Sequence, residues 1–144
     1  MFSMSETNQT DNALHHEMQF VRNFVIPAKR ARYLSLLESR RGRIRFIKTL
    51  DHFGDLDMRR VASVPAYAQT PLQIEALLKG KGASGNCTII SSNENLDGSQ
   101  TSLREALEQT IGQGYGTIIS CMAGRLAYFE GEDPGARYIL EHSP

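Results

Sequence analysis

The spacing of the apolar residues differs between the two halves of this chain, and that difference limits what it can fold into. Up to residue 60 they recur every three or four positions, which is the spacing of one helical face. From residue 87 onward short uninterrupted runs such as "CTIISS" and "GTIISCM" appear, as expected of strands covered on both sides. Helices first and strands afterwards point to the α+β class.

In the first half, Leu14, Met18, Val21 and Val25 recur at i, i+4, i+7 and i+11, and Phe20 and Phe24 widen the stripe. Pro27 lacks a backbone N–H and disfavours helical geometry at Ile26, so one helix should stop there and another begin. The next stretch, "PAKRARYLSLLESRRGRIRFIK", carries Tyr33, Leu36 and Leu37 before Gly42, which weakens a helix, and then Ile44, Phe46, Ile47 and Leu50. It reads as two helices or one broken helix, closed by the turn residues of "DHFGDLD".

Residues 61–69, "VASVPAYAQ", look like a connector. Thr70, Pro71 and Gln73 then make a capping-box start for a short helix. The order strand, loop, helix, strand from residue 87 to residue 122 suggests a βαβ unit with a parallel strand pair. "RLAYFEG" and "ARYILEH", separated by "EDPG", read as an antiparallel hairpin. The expectation is an N-terminal helical layer on a small mixed β-sheet. Residues 1–12 are polar and aperiodic, a flexible tail, and 13–144 form a single domain: 13–60 helical, 61–69 connecting and 70–144 bearing the sheet.

No apolar run is long enough to span a bilayer, and the start has no basic segment followed by an apolar one, so a soluble cytoplasmic protein without a membrane partner is expected. Cys87 and Cys121, the only cysteines, fit reduced thiols within apolar strands rather than exposed nucleophiles.

Charge is unevenly placed. Residues 27–48 hold eight of the sixteen Lys and Arg and one acid, Glu38. To residue 60 the chain is net +4, and beyond it net −4. Arg41, Arg45, Lys48 and His52 recur at i, i+4, i+7 and i+11, along one helical face. Such a face suits nucleic acid or an acidic protein, while an ordinary solvated surface accounts for the same pattern. The opposite halves also allow a homo-oligomer pairing head to tail.

Other chemistries find little support. The glycine-rich "KGKGASG" and "GQGYG" follow helices and precede strands, the reverse of a phosphate-binding loop. "SSNENLDGSQT" has strand-to-helix order, which makes Glu94, Asp97 and Ser99 the candidate loop of a small enzyme or ligand-binding domain. The plainer account is a solvated turn and helix cap. The four histidines lack metal-ligand spacing, no serine stands in a G-x-S-x-G turn, and nothing calls for a cofactor. The reading that follows is a non-catalytic binding protein with a basic helical face.

Overall fold

The computed structural model describes residues 3–143, with side chains from Asn12 onward. Helix α1 spans Ser3–Phe24, α2 Pro27–Leu36 and α3 Arg40–Thr49. Of the polar tail expected at residues 1–12, residues 3–12 belong to α1, while residues 1–2 and the side chains up to residue 11 lie outside the described residues. Pro27 occupies the first turn of α2 after an extended Ile26, as its missing N–H and fixed φ dictate. Ser39 caps α3 by accepting a hydrogen bond from the Gly42 amide.

Gly42 is the contact point between α2 and α3. A Cβ there would stand 2.1 Å from the Leu36 carbonyl oxygen, so only glycine permits this approach. The residue read as a helix breaker lies inside the first turn of α3 and sets the packing of the helical hairpin.

After two 3₁₀ turns at Leu50–His52 and Met58–Arg60 come β1 (Val61–Ser63), α4 (Pro71–Gly80), β2 (Asn86–Ser91), β3 (Gln100–Ser102) and α5 (Leu103–Thr110). Strands β4 (Thr117–Met122), β5 (Leu126–Glu130) and β6 (Arg137–Glu141) complete the chain. The capping box of α4 forms as read, with Thr70 and Gln73 exchanging hydrogen bonds. The hairpin β5–β6 also forms, Tyr128 opposite Ile139.

The six strands stand in the order β1-β6-β5-β4-β2-β3, and every pair is antiparallel. The fold is α+β, as expected, but the sheet is not mixed and holds no parallel βαβ unit. The cause is the three-residue β3, which turns back along β2 with Cys87 opposite Thr101. That reversal starts α5 at the opposite end of the sheet. Strand β4 therefore runs against β2, with Ile89 opposite Ile119. Strand β1 lies inside the stretch read as a connector and pairs with β6, Ala62 opposite Ile139.

Alternation along the strands divides the core in two. Ile90, Ile118, Ala127, Phe129 and Leu140 meet Phe20, Phe24, Tyr33, Phe46 and Leu50 from the first three helices. Cys87, Ile89, Ile119, Cys121, Tyr128 and Ile139 meet Ile74 and Leu78 of α4 and Leu103 and Leu107 of α5. The first layer is aromatic, with Phe53 touching the rings of Phe20, Tyr33, Phe46 and Phe129. Burial of such rings fixes α3 against the sheet and leaves its other side to solvent.

Candidate functional site

Helix α3 is amphipathic because its apolar residues Phe46 and Ile47 fall on one side, with Leu50 just beyond. Arg41, Arg45 and Lys48 stand exposed on the opposite side, as their spacing requires. His52 is also exposed but is engaged: its Nε2 lies 2.7 Å from Glu132 in the β5–β6 turn. Three of the four stripe residues are thus available to a partner.

The contrast with the other bases is informative. Arg59, Lys79, Lys81, Arg104 and Arg137 pair with carboxylates at 3.4 Å or less, Arg30 and Arg60 stand 3.7 and 4.0 Å from Asp57, and Arg22, Lys29 and Arg125 make no ion pair with a described residue. Arg32, Arg40, Arg41, Arg45 and Lys48 are exposed and make no ion pair or side-chain hydrogen bond with any described residue. The sequence stripe followed a single i, i+4, i+7 row and so took in neither Arg40, which stands at the start of α3 off that row, nor Arg32, which belongs to α2. Ile44, 47% exposed, places an apolar group among these cations.

Arg43 turns the other way. Its Nε and Nη2 donate to the Glu17 carboxylate at 3.0 and 2.7 Å, and its Nη1 and Nη2 donate to Asp97 at 2.8 and 3.0 Å. Burial works against the Arg43 charge, but the hydrogen bonds it donates to Asp97 and Glu17 outweigh that burial and hold the guanidinium protonated. Glu17 is only 1% exposed, and that burial raises its carboxyl above the ordinary range despite Arg43. This three-residue network joins α1, α3 and the loop after β2.

The network also settles where the loop residues go. Asp97 is committed to Arg43 and to the Ser91 amide, 3.0 Å from its Oδ1. Glu94 is exposed, with no hydrogen-bond partner among the described residues. Ser99 lies in the turn, its backbone bonded to Leu96 and Ile89. A cleft of about 130 Å³ brings the two candidate regions together, lined by Ile44, Ile47, Lys48, Ser91, Ser92, Glu94 and Asp97. Its serines are already held, Ser91 by Thr117 at 2.8 Å and Ser92 by Asp51 at 2.5 Å. Lys48 and Glu94 remain as charges of opposite sign on a partly apolar cleft.

One pairing has no sequence signal, because its members are 104 residues apart. His16 Nδ1 lies 2.5 Å from Ser120 Oγ, and burial lowers the His16 pKa, with His15 adding to the effect. Cys87 and Cys121 are unbridged and buried, and burial pushes the Cys87 thiol up to about 12. Among the described residues no three His, Cys, Asp or Glu converge as metal ligands, and no helix is long and apolar enough to cross a membrane. Compared with known proteins, the chain matches no family model, no curated protein and no solved structure.

Proposed function

We propose that the protein is a non-catalytic binding protein whose basic α2–α3 face engages the phosphate backbone of a nucleic acid. The observation carrying this reading is selective pairing: the exposed bases of α2–α3 lack acids, while most of those around the sheet, Arg125 excepted, are matched. Arg41 and Lys48 lie seven residues apart on a helix held rigidly by its aromatic side, about 10 Å along the axis. Exposed cations at such spacing suit phosphate oxygens, which Arg binds by charge and fork geometry and Lys by charge alone. In this reading the protein acts in the cytoplasm with both cysteines as thiols.

The test is titration of labelled DNA and RNA, single- and double-stranded, at two salt concentrations. Affinity should fall steeply with salt, and Arg41→Ala with Arg45→Ala should lower the log–log slope by about two units without changing sequence preference. Absence of binding at low salt would sink the nucleic-acid reading and turn attention to an acidic protein.

A second reading rests on the cleft beside Lys48: a small polar or cationic ligand held by Glu94. Glu94→Gln in the same assay separates the two. Loss of that acid leaves phosphate binding unchanged or tighter and removes a ligand held by the carboxylate.

A further inference from the structure

The two edges of the sheet are β1 and β3. Strand β1 has a defined set of outward backbone groups. The Val64 amide donates to the Arg137 carbonyl at 3.0 Å, so residue 64 faces β6. In an antiparallel ladder the facing groups alternate, so Ala62 also bonds toward β6, while Val61 and Ser63 turn their N–H and C=O outward. The Val61 amide is taken by the Met58 carbonyl within the 3₁₀ turn. The Val61 carbonyl and both backbone groups of Ser63 have no partner among the described residues.

The surroundings of this edge are cationic. Arg59, Arg60 and Lys81 line a cleft of about 190 Å³ together with Val61, Ala62 and Glu141. Arg59 is 71% exposed at its side chain although it touches Asp57. Arg60 is loosely held: its closest approach to an acid is 4.0 Å, to Asp57, and its Nε–H is buried without an acceptor. Arg60 thus has no close acid of its own, and its side chain stays 28% exposed to an arriving carboxylate. Asp57 already faces Arg30, Arg59 and Arg60, and Glu141 faces Lys81, so cations remain in excess.

We propose that the outer edge of β1 accepts an extended acidic peptide as an added strand, its backbone bonded to Ser63 and Val61 and its carboxylates beside Arg59, Arg60 and Lys81. Main-chain pairing supplies affinity in this mode and the flanking charges supply selection. A second copy of the chain is the poorer occupant, because its own β1 would bring Arg59 and Arg60 against their counterparts. The proposal uses different residues from the α3 face and stands independently of it.

The probe is a short labelled peptide alternating Glu with Thr, acetylated and amidated at its ends, followed by fluorescence anisotropy and by hydrogen exchange at the Ser63 amide. Binding should slow exchange at Ser63. Arg59→Gln with Arg60→Gln should weaken binding about tenfold, and so should Ser63→Pro, which removes an outward N–H and spares the β6 ladder. A peptide N-methylated at alternate amides should not bind, and this arm keeps the test intact even where Ser63→Pro fails to fold. No binding at low salt, equal binding of the N-methylated peptide, or equal binding with Lys in place of Glu would each overturn the proposal.

Discussion

Arg43 and Arg45 stand two residues apart on α3 and do opposite things. Arg43 is drawn inward between two carboxylates, one of them almost fully buried, and ties three segments of the fold together. Arg45 shares its exposed face with Arg41 and Lys48 and touches no described acid. One helix thus uses the same side chain for cohesion on one side and for display on the other. Residue type alone does not say whether a basic residue ties the fold together or stands free on its surface; the position of its nearest acid does.

The sharpest way to break this comparison is Arg43→Ala. It leaves Glu17 buried without its cation, and such a loss costs about 3 kcal/mol, toward the low end for a buried pair because Arg43 keeps some contact with water. Chemical denaturation should show the drop. An effect no larger than that of a surface substitution would make the inward and outward arginines equivalent and remove the distinction.

A smaller effect, with a sign of its own, comes from acid titration. Hydrogen bonding by Arg59, with Arg60 nearby, holds Asp57 down at about 2 against an ordinary 3.8. A depressed carboxyl contributes stability above its unfolded value and loses it as pH falls through its folded value. The stability gap between the parent chain and Asp57→Asn should therefore narrow as pH drops from 3.8 towards 2. Glu17 works the other way: its raised pKa means that ionisation opposes folding, a contribution that acidification relieves. Melting curves across acid pH for Asp57→Asn and Glu17→Gln should show opposite trends relative to the parent. Parallel trends would contradict the pairing described for these acids.

The smallest change is expected from Arg41→Ala with Arg45→Ala, within about 0.5 kcal/mol of the parent in stability. A larger loss by denaturation would mean that these arginines support the fold, and the display face would shrink to Lys48 and the bases of α2.

Much of this was legible in the residues. Pro27, the Thr70–Gln73 capping box and the "EDPG" hairpin are local devices whose geometry is set by nearby atoms, and each stands where it was read. The outward direction of Arg41, Arg45 and Lys48 followed from helical periodicity. Glu17 and Arg43 left a signal that went unused: Glu17 lies on the apolar stripe of α1, three residues after Leu14 and four before Val21. A lone acid there asks for a buried cation. Strand direction was out of reach, because it turned on β3, three residues of Gln, Thr and Ser with no apolar pattern. Strand β1 was hidden for the same reason, its pairing supplied by β6 rather than by its own composition. The cleft between α3 and the loop after β2 needed both placements at once.

The position of β1 also orders the folding of the chain in time. Val61 finds its neighbour only in Leu140, so β1 has no partner in this sheet until β6 exists. A nascent chain that has reached β5 can close its inner strands and still carry β1 unmatched, with the helical layer waiting for the sheet surface that β6 completes. Closing so long a loop is entropically costly and delays the final step relative to the local hairpins. A chain interrupted before β6 would therefore leave β1 open on both sides.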